Sequence, residues 1–255
     1  MTSRDAKRGK CMYDDFAYIY DELIEDVDYE KWNSYIKDIF KRFGKSPKHV
    51  LEMACGTGNL SYYLAKEGYH LVCFDMSDDM LAVAYNKLSQ FKNVMLLNQN
   101  MTDFNIHRKF DAIISILDSI NYITDEKELL STFKNVRGHL DEDGIFIFDI
   151  NSEYKLREII GSNTFVEDRD DVFYTWQNYF DEEKRIAEFY LTFFVKKDNG
   201  YYIRFDEDHF EKAYKAEEVI EALKMAGFSR INAFDCFTFN EPHEKSQRIN
   251  FVALP

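Results

Sequence analysis

The stretch Val50-Leu51-Glu52-Met53-Ala54-Cys55-Gly56-Thr57-Gly58-Asn59-Leu60 decides the fold. Its apolar start reads as a short buried strand that carries one acidic side chain, Glu52, and then turns through two closely spaced glycines. Gly56 and Gly58 let the backbone turn tightly and approach a ligand, and a helix beginning near Asn59 directs its free amide donors back at that turn. Residues 71–75, Leu-Val-Cys-Phe-Asp, form a second apolar strand ending in Asp75, 17 positions after Gly58 (75 − 58). A carboxylate in that place can accept both hydroxyls of a ribose, so the two strands read as a nucleotide-type cofactor site.

Two cofactor classes share this plan. Nicotinamide and flavin enzymes require G-x-G-x-x-G, whose third glycine permits close packing beneath a pyrophosphate; here that position is Ser61. Glu52, four residues before Gly56, would repel a pyrophosphate but can organise a turn around a ligand bearing an amino group. S-adenosylmethionine carries a sulfonium, an ammonium and a ribose and has no phosphate, so it suits these charges better. The pattern resembles motif I of the class I S-adenosylmethionine-dependent methyltransferases, a strand followed by E/D-x-G-x-G-x-G. It departs at Ala54, where the first glycine usually stands; alanine is the smallest side chain, so the site is expected to survive with slightly less backbone freedom. Glu52, Ala54, Gly56, Thr57, Gly58 and Asp75 are the cofactor-binding residues implied by this resemblance.

Composition sets the outer limits. A chain of 255 residues that is 45% hydrophobic can bury a full core, as one domain with an embellishment. The 13 Gly and Pro residues (10 + 3) are too few for long disordered linkers. Cys11, Cys55, Cys73 and Cys236 form no C-x-x-C pair and read as reduced cytosolic thiols. The first ten residues are polar and charged, and no apolar run approaches the length of a membrane span, so a cytoplasmic, unexported protein is expected. The net charge of −14, from 32 basic and 46 acidic side chains, opposes docking onto nucleic-acid phosphates or an anionic membrane face.

Strands and helices alternate as in a parallel sheet wound by helices. Helical spacing covers residues 28–43, with Trp32, Tyr35, Ile36, Ile39 and Phe40 on one side and Gly44 closing it. Strands are predicted at 50–54, 71–75, 94–98, 110–116 and 144–150, and helices at 59–67, 77–88 (capped by Ser77) and 126–140. Residues 172–180, 185–196 and 201–212 then read as consecutive antiparallel strands rich in aromatics, with Asn199-Gly200 as a two-residue hairpin turn. A helix at 216–226 and strands at 231–240 and 247–253 finish the chain. The predicted fold is α/β, a doubly wound, mostly parallel seven-stranded Rossmann-like sheet with an inserted antiparallel sheet. Its expected organisation is a helical cover at 1–45, a cofactor-binding core at 46–155 and 213–255, and an inserted lid or substrate region at 165–212. The resemblance to class I methyltransferases implies that the last strand is antiparallel.

The same resemblance places further residues. Enzymes of this type commonly set an Asp and a hydrophobic residue against adenine after the third strand; here Asn100-Met101 stands there, and the Asn amide keeps the hydrogen-bonding capacity without the charge. Met101 and Met76 are expected to pack on the adenine face. Leu117-Asp118-Ser119-Ile120-Asn121-Tyr122, at the end of the fourth strand, is similar to a segment that lies beneath the methionine moiety in a bacterial small-molecule group. Leu117 and Asp118 are therefore expected to flank the cofactor, and Asn121 or Tyr122 the substrate, with helix capping as the alternative role of Asp118 or Ser119. Residues 13–21 are similar to that group's cofactor cover, where Tyr20 offers an aromatic face to a sulfonium and a hydroxyl to the carboxylate end.

Methyl transfer needs alignment and exclusion of water, and a base only where the acceptor must lose a proton. His209, in Asp206-Glu207-Asp208-His209, is the foremost candidate base, and its acidic neighbours would raise its pKa if they lie close; Asp118 is a second catalytic candidate, and Asp149 and Asn151 are others. The six histidines lack ligand spacing and no G-x-S-x-G occurs, so neither a metal site nor a serine hydrolase is expected. The expected activity is methyl transfer from S-adenosylmethionine to O or N of a small-molecule acceptor, by a monomer or homodimer. The alternatives are a non-catalytic S-adenosylmethionine-binding sensor or scaffold, and an NAD-dependent oxidoreductase.

Overall fold

The structure, a computed structural model, describes residues 13–255. Cys11 and the first twelve residues of the expected cover lie outside the described residues. The described residues divide into two compact units, residues 13–101 and 102–255.

The first unit opens with helices α1 (Tyr13–Leu23) and α2 (Tyr29–Arg42). Asp28 caps α2 by accepting the Lys31 N–H at 2.8 Å, and the predicted stripe of Trp32, Tyr35, Ile36, Ile39 and Phe40 is buried. Each such side chain contributes about 1.5–3 kcal/mol by leaving water. Strand β1 (His49–Met53), helix α3 (Asn59–Lys66), strand β2 (His70–Asp75), helix α4 (Asp78–Leu88) and strand β3 (Val94–Asn98) follow. Ser77 caps α4 by accepting the Met80 N–H at 3.2 Å. β1, β2 and β3 pair in parallel, with Asp75 opposite Asn98 at their carboxyl ends.

The second unit begins with β4 (Phe110–Ser115), a 3-10 turn at Ser119–Tyr122, α5 (Glu126–His139) and β5 (Leu140–Asn151). It ends with α6 (Ala216–Met225), β10 (Arg230–Asp235) and β11 (Arg248–Leu254). β4 and β5 are parallel, and β11 runs antiparallel to both β5 and β10. Phe146, Phe148 and Phe251 stack across β5 and β11, with Phe148 and Phe251 centroids 5.0 Å apart. The seven strands form one mostly parallel sheet, as expected from the sequence, and their order is β10-β11-β5-β4-β1-β2-β3.

The insert is a four-stranded antiparallel sheet, β6 (Thr164–Asp168), β7 (Val172–Asp181), β8 (Ile186–Lys196) and β9 (Tyr202–Lys212), in that order. Three of these strands are the predicted ones. β6 is additional: every residue in it is exposed, so it lacks the apolar alternation that marks a strand. A π-helical turn, Lys155–Ile160, also went unread; it is short and closes through the Gly161 N–H to Leu156 O at 2.9 Å. Leu156 and Ile160 of this turn pack with Phe180, Ala187 and Phe189 of the insert.

Two local expectations are corrected. The β8–β9 connection is longer than a two-residue turn: Lys197 N donates to Tyr201 O and Gly200 N to Lys197 O, with Gly200 left-handed at φ +80°. This is a three-residue loop in which the αL glycine restores register. The strand expected to reach residue 240 ends at Asp235, because Thr238 N turns back to Asp235 O and Phe237 is left-handed at φ +59°. No helix among the described residues is long and apolar enough to cross a membrane.

Candidate active site

In the first unit the chain leaves β1 through left-handed residues at Ala54 (φ +52°), Gly56 (φ +53°) and Gly58 (φ +77°). Ala54 is the position where the glycine-rich pattern departs, and its Cβ carries a strain of roughly 1–2 kcal/mol there. A Cβ on Gly56 would meet nothing within 4 Å, so this residue borders open space. Gly58 differs, since a Cβ would lie 2.9 Å from Leu88 Cδ1 and 3.2 Å from Ala84 Cβ. Its backbone is pressed against α4, a packing role where close approach to a ligand was expected.

Asp75 draws the turn and the second strand together. Its Oδ2 accepts the Gly56 N–H at 2.9 Å and its Oδ1 the Ser77 N–H at 2.9 Å. Burial pushes its carboxyl up, and these backbone donors oppose the shift. Each oxygen keeps a second acceptor direction for hydroxyls from outside, which is the chemistry a ribose requires. Met76, the next residue, is 70% exposed, the behaviour of an apolar side chain with room for a flat partner. Exposed Asn100 and half-buried Met101 follow β3, whose Asn98 donates to Asp78 Oδ1 at 2.6 Å. These features fit an adenosyl group.

Glu52 faces inward. Its Oε2 accepts from Ser61 Oγ at 2.5 Å and more weakly from Cys73 Sγ at 3.8 Å, bracing β1 against α3 and β2. Burial pushes its carboxyl up to about 7, against the pull of those donors. Thr57 and Asn59 turn toward α1: Asp21 Oδ1 accepts from Thr57 Oγ1 at 2.5 Å and Asn59 Nδ2 at 2.8 Å, and Lys87 Nζ lies 2.9 Å from Asp21 Oδ2. Burial raises the Asp21 carboxyl, but Thr57, Lys87 and Asn59 together hold it below its ordinary value. Tyr29 joins Asn59 by a hydrogen bond, and burial, with Tyr20 nearby, raises its phenol. Tyr20 is half-buried with its ring centroid 5.6 Å from Phe16, and Trp32 is core. The latch of Asp21, Asn59, Lys87 and Tyr29 was not foreseen; an aspartate at the end of a predicted cover and a lysine in the last turn of α4 were its only signals.

The second unit holds a separate polar cluster. Leu117 (φ +60°) and Asp118 (φ +55°) are both left-handed, and the Asp149 carboxylate accepts both of their N–H groups, at 2.7 and 3.1 Å. Two consecutive non-glycine residues in this region are strained, and such strain persists where the surroundings over-determine it. Arg248 completes the arrangement by bonding Asp149 Oδ2 through Nη1 and Asp118 Oδ1 at 2.6 Å through Nη2. Asp149 is fully buried; burial pushes its carboxyl up and Arg248 opposes the shift. Asp118 is thereby engaged as an ion-pair partner, without the side-chain cap also considered for it, while Ser119 Oγ donates to Ile116 O at 3.0 Å.

Asn121 extends the cluster, donating to Asn151 O at 3.1 Å and Lys212 O at 2.9 Å while its Oδ1 accepts the Asn151 N–H at 2.9 Å. Asn151 in turn donates to Glu211 Oε2 and accepts from Lys155 Nζ, each at 2.8 Å. Burial pushes Glu211 well up and Lys155 down. His209 lies beside this cluster on β9, its Nδ1 3.4 Å from the Tyr122 hydroxyl. Its pKa is lowered and not raised: burial outweighs the attraction of Asp208. Arg248, Lys155 and Glu211 were missed in the sequence; an isolated arginine opening an otherwise apolar strand was the legible hint.

Comparison with known proteins gives the family. A family model described as a methyltransferase domain matches residues 50–144. The chain is 36% identical over 243 residues to a putative methyltransferase of Geobacillus sp. (strain WCH70), covering 94% of this chain and 98% of that protein. A crystal structure of an S-adenosylmethionine-dependent methyltransferase from Clostridium acetobutylicum superposes with a TM-score of 0.86 at 40% identity, over 95% of this chain and 98% of the other. Over 141 residues, 54% of this chain and 58% of the relative, it is 30% identical to a dTDP-3-amino-3,4,6-trideoxy-alpha-D-glucopyranose N,N-dimethyltransferase of Streptomyces venezuelae.

Proposed function

The chain belongs to the class I S-adenosylmethionine-dependent methyltransferases, and from that membership we propose that it methylates N or O of a small-molecule acceptor held against the inner face of the inserted sheet. The observation that carries the acceptor half is His209, set on the aromatic β9 with its ring against Tyr122 in the 3-10 turn that follows β4. Carboxyl ends of strands are where open α/β sheets take their ligands. The amino-sugar methyltransferase among the relatives supports a small acceptor.

When bound, S-adenosylmethionine supplies a methyl group on a sulfonium, already activated for in-line displacement. Asp75 would hold the ribose hydroxyls, and Met76, Asn100 and Met101 the adenine. Ala54, Gly56, Thr57 and Gly58 form the turn, which Glu52 braces from below; Tyr20 and Leu117 would serve the methionine end. Residues 13–45 would act as the described part of the cover, 46–155 and 213–255 as the core, and 165–212 as the acceptor wall. Asp118, clamped by Arg248, positions the β4 corner. His209, kept neutral by burial, can accept a proton. The enzyme would work in the cytoplasm as a monomer or homodimer.

Thermal unfolding with S-adenosylmethionine, S-adenosylhomocysteine or NAD tests the first half; saturation at 100 times Kd adds roughly 2.7 kcal/mol. Release of S-adenosylhomocysteine from a panel of amino and hydroxy compounds tests the second. A shift with both adenosyl compounds and turnover of at least one acceptor is expected. Binding with no turnover of any small molecule would overturn the acceptor half.

A further inference from the structure

Directly opposed residues of neighbouring strands share a face, so the register of the insert defines rows across it. One row is Trp176, Leu191, Glu207; the next is Asn178, Phe189, His209. Tyr174, Phe193 and Phe205 extend the same face, with Phe193 and Phe205 stacked at 5.0 Å. The floor is apolar, and its polar atoms stand at the two sides. On β7 the Trp176 indole N–H and the Asn178 Oδ1 are buried without a partner among the described residues, and Asn178 is only 9% exposed. Unmet buried polar groups are costly, and their pairing here points to a ligand that meets them.

On β9, Glu207 is half-buried and has no hydrogen-bond or ion-pair partner among the described residues; only burial and the charge of Asp208 bear on it, pushing it up to about 7. The other buried carboxylates of this unit are engaged, Asp149 by Arg248 and two N–H groups, Glu211 by Asn151. His209 is kept neutral and stands beside Tyr122, Leu191 is opposite, and Asp208 is on the other face; among the described residues no cation competes for Glu207. A free carboxylate at the rim of an aromatic floor matches an ammonium on a mostly apolar frame, by charge and by cation-π attraction. A hydroxyl would bring it no counter-charge.

We infer that the acceptor is an amine and that Glu207 takes the proton its ammonium must lose, an inference that rests on the methyl-transfer reading above. The proton passes from nitrogen to a Glu207 carboxylate oxygen, and the N–H bonding pair stays on nitrogen as the lone pair that accepts the methyl group. A cation and an anion become a neutral amine and a neutral acid, and the half-exposed acid returns the proton to water. Group and operating pH are matched, as efficient proton transfer requires.

The test uses the full chain saturated with S-adenosylhomocysteine and two isosteric probes, cyclohexylamine and cyclohexanol. The amine should raise the unfolding temperature and the alcohol should not. Glu207→Gln should abolish the amine shift while keeping the S-adenosylhomocysteine shift. In carboxyl-labelled protein, the resonance missing from that variant should titrate near neutrality, with a midpoint that falls when cyclohexylamine is added. An amine shift no larger than that of the alcohol, or one that survives in Glu207→Gln, overturns the inference. Failure of S-adenosylhomocysteine itself to stabilise the chain would instead bring down the cofactor reading beneath it.

Discussion

Replacing Arg248 by methionine probes the corner at Leu117 and Asp118. The guanidinium has 17% of its side chain exposed and lies between Asp149, with none, and Asp118. Methionine keeps much of the apolar stem and removes the charge, leaving Asp149 a buried carboxylate with only the two backbone N–H groups. Removing one partner of a buried pair costs about 3–5 kcal/mol. At about 2–4 °C per kcal/mol for a chain of this size, Tm should fall by roughly 6–20 °C. The loss should depend on pH. Burial already holds Asp149 above its ordinary range, and loss of Arg248 raises it further. A carboxyl raised in the folded state favours folding most below its unfolded pKa, and that contribution drains away as pH climbs through the folded value. The penalty should therefore be smallest near about pH 4, the ordinary aspartate value, and grow as pH rises from there. Urea unfolding of wild type, Arg248→Met and Asp149→Asn/Arg248→Met across that range measures it, and the double variant should recover part of the loss. A penalty below about 1 kcal/mol at the alkaline end, or one independent of pH, would refute the assignment of an uncompensated buried charge.

Ala54→Gly should relieve the left-handed strain of roughly 1–2 kcal/mol, offset by about 0.4–1 kcal/mol of added freedom in the unfolded chain, for a net gain of up to about 1.6 kcal/mol. A lower urea midpoint would contradict this. Gly58→Ala should cost about 2–4 kcal/mol, combining the same strain with the 2.9 Å approach to Leu88, and a change within about 0.5 kcal/mol would show that α4 yields freely. Because Glu52 is raised from 4.5 to about 7, its contribution to stability should fall by about 3 kcal/mol as pH rises across that interval; Glu52→Gln should flatten the curve, and equal slopes in both proteins would exclude the group. Asp21→Asn should speed S-adenosylhomocysteine dissociation several-fold in stopped flow with under about 1 kcal/mol lost in urea, and an unchanged off-rate would remove α1 from the exit path.

The sheet was legible because its signals are local. Each parallel strand is a short apolar run, Ser77 and Asp28 cap the helices they precede, and the spacing from Gly58 to Asp75 reflects one strand-helix-strand unit. What stayed hidden depends on partners far along the chain or on backbone angles. Asp118 reads as a polar residue at a strand end, and nothing near it announces Arg248, 130 positions away. Glu52 suggested a ligand contact, whereas its direction is set by Ser61 and Cys73. The acidic neighbours of His209 suggested a raised pKa, but alternation along β9 turns Asp208 to the opposite face and leaves burial in control. β6 has no buried side, so no periodicity could reveal it.

The bond between Asp149 and Arg248 also has a place in time. The two residues are 99 positions apart, and a ribosome adding roughly 5–20 residues per second delivers the arginine about 5–20 s after the aspartate. During that interval β4 and β5 have been synthesised, yet the acid that grips the Leu117 and Asp118 amides lacks its counter-ion. The nascent chain must keep that acid protonated or wet, which holds the corner loose. Emergence of β11 ends this state, so the corner at Leu117 and Asp118 tightens late in biosynthesis, after the strands that bear it.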